Sequence, residues 1–206
     1  MLTQWLSPAF PVGAYSYSHG LEWAISAGDI TDTTTLKNWL RDILFYGSGR
    51  NDAIFLAQAY RAGPGTLAEI ADLACAFNPS AERLVETSAQ GAAFVKTLKS
   101  VWGNEFPPMP YPVALGAAAQ AHGLPLKETM HLYLHAFLAN LVSAAVRFIP
   151  LGQSDGQSVV SELSAMIDPV VADAAEASLD HLGGSALRGD MAAMRHETLP
   201  TRIFRT

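Results

Sequence analysis

The sequence predicts an all-α protein, a bundle of about eight to ten helices. Apolar residues recur at helical spacing along nearly the whole chain, and no segment alternates apolar and polar residues for long enough to form a strand. No repeat of fixed period is present. The 206 residues are therefore interpreted as a single helical domain, with an irregular lead-in over residues 1–20 and a tail over residues 197–206.

The first half of the chain divides into helices at glycines, prolines and capping side chains. A Pro/Gly-rich opening precedes a short helix that begins near Leu21 and ends at Gly28. Thr34, Thr66 and Ser80 are the predicted N-caps of later helices. The resulting helical patterns run over residues 34–47, 49–62, 66–77 and 80–102.

The second half begins with a loop, because residues 103–112 contain four prolines. Pro112 suits the first turn of a helix rich in Ala and Gly, which Gly123 ends. That composition allows its backbone to approach a neighbour closely. Helices are then predicted over residues 112–122, 126–149, 154–167 and 168–183, and a last short one around residues 191–194.

The composition excludes several classes of function. Half of the residues are hydrophobic and only 16% are charged, which indicates a large core or much surface buried in partners. A net charge of −6 argues against a nucleic-acid partner, since nucleic acids select basic surfaces. The most apolar stretch, residues 132–151, contains His135, Asn140, Arg147 and Pro150, so it is not expected to span a membrane. The chain start lacks a basic signal-peptide region, and we expect a soluble, cytoplasmic protein.

The motifs of catalysis and nucleotide binding do not occur in this sequence. It has no G-x-x-x-x-G-K-[ST] loop and no nucleophile elbow. His131 and His135 are four residues apart and could share a metal ion, but their helix offers no third ligand at matching spacing. We therefore predict a protein that is not an enzyme and that has no catalytic residue, cofactor or metal site, with a His131/His135 site as the alternative.

Two segments favour binding to other proteins. The helix from Leu132 to Ile149 is apolar nearly all round, so it is either the central helix of the bundle or also packs on a second subunit. The tail combines Arg202 and Arg205 with Ile203 and Phe204, the composition of interface anchors. A frayed terminus is the simpler interpretation of the tail.

Three separated blocks resemble the family of urease accessory protein F. They are residues 7–22 (SPAFPVGAYSYSHGLE), 146–157 (VRFIPLGQSDGQ) and 196–206 (HETLPTRIFRT). The order and spacing of the blocks fit over the whole chain. The sequence departs from the family pattern at Ala14, Leu199, Pro200 and Thr201, and Pro200 affects the expected conformation of the tail.

The resemblance implies an all-helical, non-enzymatic protein that dimerises. Such a protein binds urease accessory protein D (H in some organisms) and recruits the accessory GTPase G. Nickel delivery to apo-urease is then coupled to GTP hydrolysis by the GTPase. The residues that the resemblance assigns to partner binding are Tyr15, Tyr17, Arg202, Ile203, Phe204 and Arg205. It assigns Tyr133 and Phe137 to a homodimer interface. A free-standing nickel-binding helical protein that uses His131 and His135 is the alternative function.

Overall fold

The structure is a computed structural model that describes residues 1–205 and, at Pro64, the backbone alone. Within these residues every regular element is helical, which confirms the all-α prediction. Thr206, the last residue of the predicted tail, lies outside the described residues. The helices are α1 (Leu2–Trp5), α2 (Leu21–Ser26), α3 (Thr33–Tyr46), α4 (Ser48–Arg61), α5 (Pro64–Ala76), α6 (Ala81–Trp102), α7 (Tyr111–Ala121), α8 (Leu126–Ala145), α9 (Gln153–Ser164), α10 (Ile167–Glu176) and α11 (Leu187–His196). Short 3₁₀ turns lie at Ala14–Ser16 and Leu179–His181.

Helix α7 lies at the centre of the molecule, because every residue from Tyr111 to Ala119 is buried. It packs mainly on α4 and α6. A Cβ atom on Gly116 would collide with the carbonyl oxygen of Leu56 in α4. The expected close approach of this Ala/Gly-rich helix is therefore confirmed, with Gly116 as the residue that allows it.

Several helix ends differ from the predicted ones. The N-cap of α3 is Asp32 rather than Thr34, because the Asp32 carboxylate accepts the Thr35 N–H at 2.8 Å and the Thr35 hydroxyl reaches back to Asp32. Helix α9 begins after Gly152 rather than at Ser154. Helix α8 ends at Ala145 and α10 at Glu176, earlier than predicted.

The long apolar helix α8 lies inside the bundle and packs against α4, α9 and α10. It also contacts the 3₁₀ turn of the opening segment. The Asn140 side chain donates hydrogen bonds to the carbonyl oxygens of Ala14 (3.0 Å) and Tyr17 (3.5 Å). Helix α8 therefore holds the opening segment in place on one side of the molecule.

Candidate partner-binding surface

The tail lies against the opening segment and the end of α8. The Arg205 N–H donates to the Ser16 carbonyl at 2.8 Å. The Phe204 ring is buried, 5.4 Å from the Phe148 ring and 5.7 Å from the Arg147 guanidinium. The three sequence blocks that carry the family resemblance are thus brought together in space, and they form one surface.

Glu22 anchors the tail by its backbone. Its buried carboxylate accepts the N–H groups of Ile203 at 2.8 Å and Phe204 at 2.9 Å. Hydrogen bonds to an ionised acceptor are the stronger kind, and two on one carboxylate fix the direction of the chain. The tail is therefore a docked segment of the fold rather than a frayed terminus.

Gly20 explains how Glu22 comes to face the tail. It has a φ of 77° directly before α2, and a Cβ atom there would lie 2.6 Å from the backbone nitrogen of Ala193. Only glycine tolerates both the left-handed backbone and the close passage of α11. The sequence around it therefore seats the first turn of α2, which carries Glu22, beside the end of α11.

His196 joins Glu22 to a second buried carboxylate. The imidazole is fully buried, with Nδ1 2.7 Å from Glu82 and Nε2 3.2 Å from Glu22. The other oxygen of Glu82 accepts from the Arg202 guanidinium at 2.6 Å. Both ring nitrogens face carboxylate oxygens, so each is paired within the fold. Two acidic side chains, one histidine and one arginine thus link α2, α6, α11 and the tail.

A second buried polar cluster lies beside this one. The Arg83 guanidinium lies 2.5 Å from Glu86 and 3.8 Å from Asp52, and Asp52 accepts the Tyr133 hydroxyl at 2.8 Å. Burial raises the pKa of Asp52 to about 6, against the opposing effect of Arg83. Burial, followed by the charge of Asp52, holds the pKa of Tyr133 well above its usual value. Arg83, Glu86 and Tyr133 are buried and Asp52 is nearly so, and the cluster therefore offers no surface to a substrate.

His19 also lies in this second cluster. Its φ is 58°, and its Nε2 atom lies 2.7 Å from the Ser48 hydroxyl. Burial and the nearby Arg83 charge lower the pKa of His19 well below its usual value, so the ring is neutral. His19 is therefore a packing and hydrogen-bonding residue.

The predicted partner-binding residues divide into exposed and buried ones. Tyr15 and Ile203 expose 67% and 75% of their surface. Phe204 and Tyr17 are buried and position the segments that carry the exposed residues. The exposed arginines of this region are Arg147, Arg202 and Arg205. The adjoining opening segment, the chain after α8 and the tail thus expose one aromatic ring, one aliphatic side chain and three guanidinium groups, and we call this region the tail surface.

The predicted dimer residues lie on α8 beside the second cluster. Tyr133 is buried, and its hydroxyl donates a hydrogen bond to Asp52. Phe137 is half-buried, with its ring 5.3 Å from the His19 ring. Of the two, only Phe137 has surface that a second subunit could touch without rearrangement of the core.

The two histidines of the alternative metal site bind other residues. His131 Nδ1 lies 3.0 Å from the Asp168 carboxylate, and His135 Nδ1 lies 2.9 Å from the Ser164 hydroxyl. In the part of the chain that the structure describes, no group of three or more His, Cys, Asp or Glu residues is arranged to hold a metal ion. The pair therefore joins α8 to α9 and α10.

Sequence reasoning missed the residues that hold the tail in place. Glu22 lay inside the opening block without an assigned role, and Glu82 was not singled out. His196 opened the third block but had no partner at helical spacing. The only available signal was that Glu22 and His196 both belong to the blocks that resemble one family.

The structure is a helical bundle in which buried polar side chains hold an exposed apolar and cationic tail in place. None of the described helices is long and apolar enough to cross a membrane. Residues 30–164 match the family model UreF. The whole chain is 57% identical to the urease accessory protein UreF of Cereibacter sphaeroides and covers 97% of it.

Two further relatives have the same printed description, urease accessory protein UreF. That of Roseobacter denitrificans is 51% identical over the whole chain, which covers 92% of the relative. That of Bradyrhizobium diazoefficiens is 50% identical over the whole chain, which covers 90% of the relative. The chain belongs to the UreF family. This is a family of accessory proteins, which confirms the predicted resemblance and the prediction of a non-enzymatic protein.

Proposed function

We propose that this chain is a cytoplasmic scaffold for urease maturation. It binds urease accessory protein D (or H), and the pair recruits the accessory GTPase G for GTP-dependent nickel insertion into apo-urease. Family membership supports the link to urease. The protein acts through contacts with proteins, without a cofactor and without nucleic acid or membrane as partner.

The tail surface is the proposed site for accessory protein D. The observation that carries this proposal is the docked tail itself, in which Glu22 fixes the backbone while Ile203 remains three-quarters exposed. An apolar side chain on a backbone that is already fixed loses less entropy on binding, so it suits the role of an anchor. Tyr15, Arg202 and Arg205, in the same adjoining segments, supply the aromatic and guanidinium groups that interfaces favour.

The experiment is a binding measurement between the purified chain and accessory protein D. Ile203→Asp should weaken binding roughly thirtyfold, the effect of losing one buried anchor. The fold should be unaffected, because Ile203 contributes little to the core. The matched control is Val101→Asp, which places the same charge on an exposed apolar residue of α6 and should bind as the wild type does. Equal affinity of both variants would refute the role of the tail surface.

A further inference from the structure

Helix α11 presents its larger apolar side chains to solvent. Its inward side carries Gly189, Ala192 and Ala193, together with the buried His196. A helix at the surface of a globular protein normally has the opposite arrangement, with large apolar residues facing the core. The inward side is small because α11 must pass directly over Gly20. That requirement explains the small residues but does not explain the large apolar ones outside.

The outward residues form one continuous stripe. Leu187, Met191 and Met194 are separated by four and three residues, so they lie on one face of the helix. They expose 66%, 48% and 49% of their surface. Methionine side chains adapt to the shape of a partner and are common at binding surfaces. We call these three residues the α11 stripe.

One edge of the stripe carries two arginines that are held in place. Arg188 lies over the Trp39 ring, 5.2 Å from its centre, and also pairs with Asp29 at 3.0 Å. Arg195 lies 4.8 Å from the centre of the Trp23 ring. The two positions are two turns apart, about 10 Å along the helix. Stacking on indole rings orders both guanidinium groups and leaves donors free for a partner.

The other edge of the stripe carries two acidic residues, which lie against other parts of the same protein. The Glu197 carboxylate accepts the Ala81 N–H at 2.9 Å, at the start of α6. Asp190 is half-buried, and burial raises its pKa while the Arg83 charge opposes that rise. The cationic edge is therefore the one available to a partner, in a chain whose net charge is −6.

This asymmetry decides between possible occupants. In an antiparallel pair of α11 helices related by a two-fold axis, the arginine edges would face each other and repel. In a parallel pair they would face Asp190, which is half-buried, and Glu197, whose carboxylate already accepts the Ala81 N–H. An anionic membrane would attract one edge of the stripe and repel the other, so it is not favoured either.

We infer that the α11 stripe is a second docking surface, separate from the tail surface, for an amphipathic helix of a partner protein. The partner helix lays an apolar stripe on Leu187, Met191 and Met194, and an acidic edge beside Arg188 and Arg195. A cavity of about 270 Å³ lies at the N-terminal end of the stripe, where Trp39, Ile43 and Leu187 line its apolar part and Asp29, Asp42 and Arg188 line its charged part. Helix-in-groove recognition uses these elements.

The test is fluorescence anisotropy of the full chain with a synthetic helical peptide. The probe carries leucines along one face, glutamates along one edge and glutamines along the other, so that it can align with the arginines in either direction. A control peptide has lysines in place of the glutamates. The acidic peptide should bind roughly tenfold more tightly than the basic one. This ratio combines the attraction of two exposed ion pairs in the acidic peptide with the repulsion between the two arginines and the lysines of the basic peptide.

Variants assign the binding to this face. Met191→Asp should abolish binding of the acidic peptide, whereas Val101→Asp, at an exposed apolar residue on α6, should leave it unchanged. The double variant R188E/R195E should prefer the basic peptide. Thermal melting verifies that each variant is folded, and Met191→Ala replaces Met191→Asp if the latter does not fold.

Three results would overturn the inference. The first is a failure of the peptide experiment: neither peptide binds, or the R188E/R195E variant still prefers the acidic peptide to the basic one. The second is that Met191→Asp lowers the mass of the protein in light scattering, which would make the stripe a contact between copies. The third is sedimentation with phosphatidylserine vesicles that depends on Met191. None of these outcomes involves accessory protein D, so they are independent of the test of the tail surface.

Discussion

Glu22 does more for the candidate site than any residue that contacts solvent there. Its carboxylate accepts two tail N–H groups and also faces His196. A buried carboxylate is costly unless it is paired and hydrogen-bonded, and here both oxygens have partners. The tail in turn supplies donors that water would otherwise provide. The tail conformation and the position of the Glu22 side chain therefore depend on each other.

The first prediction concerns the substitution Glu22→Gln. Glutamine keeps the size of the side chain but turns one acceptor oxygen into an NH₂ group, which would face a backbone N–H or the histidine ring. The unfolding free energy should fall by about 2 kcal/mol, the effect of a lost hydrogen bond to a charged acceptor. Hydrogen exchange of the Ile203 and Phe204 amides should accelerate more than that of the α7 amides.

The control is Glu105→Gln, since Glu105 forms an exposed pair with Lys99 and touches no buried group. That variant should unfold like the wild type. Unchanged exchange of the two tail amides in Glu22→Gln would show that Glu22 does not hold the tail.

At the level of helices, the closest packing in the interior depends on residues without side chains. Gly116 in α7 lies against the carbonyl of Leu56 in α4, and Gly91 in α6 lies against the carbonyl of Met109 in the loop before α7. Both glycines are helical, where glycine costs conformational entropy relative to alanine. Glycine is a weak helix former, but these two helices contain it because only a residue without a side chain permits the close approach of the backbones.

The second prediction is that Gly116→Ala destabilises the protein by about 1–3 kcal/mol, the usual effect of overpacking an interior. The added methyl group can be accommodated only if α7 moves away from α4. Chemical denaturation measures the change. Gly65→Ala is the matched control, because a Cβ atom at Gly65 would meet nothing within 4 Å. It should leave the stability unchanged or raise it slightly, since Gly65 lies within α5. Equal stabilities of the two variants would contradict the proposed close contact.

Sequence patterns predicted the helices better than their ends. Ser80 was predicted as an N-cap, and its hydroxyl accepts the Arg83 N–H at 3.1 Å. The sequence prediction placed the N-cap of α3 at Thr34, but several neighbouring residues are also of a type that can cap a helix. Asp32 is the N-cap because it forms reciprocal hydrogen bonds with Thr35, and only the three-dimensional structure shows that pairing. Residue type therefore identifies a helix start to within two or three positions.

At the level of the whole molecule, the candidate site joins residues that are far apart in the chain. Glu22 and Phe204 are separated by 182 positions, and Glu82 and His196 by 114. Local periodicity contains no information about such pairs. The sequence therefore indicated that the tail and the opening segment were unusual, and the tertiary structure was needed to show that they touch. His196 illustrates the reason, because it has no partner at helical spacing in the sequence and lies between two buried acids in the structure.

The last prediction concerns a homodimer through α8. A charge at Tyr133 is a poor test, because Tyr133 is buried against Asp52 and the protein would unfold. Phe137 is half-buried and is the residue through which a second subunit could make contact. We expect Phe137→Glu to shift the mass in light scattering toward that of one chain, because a charge placed in an apolar interface opposes association.

Tyr133→Phe is the control for this experiment. It removes the hydrogen bond to Asp52 and should lower the unfolding free energy by about 1 kcal/mol without changing the mass. Circular dichroism verifies that both variants keep their helix content. A wild-type protein that already has the mass of one chain, or a Phe137→Glu variant that keeps the dimer mass while folded, would exclude α8 as the interface. In the second case the apolar character of α8 would follow from its central position in the bundle alone.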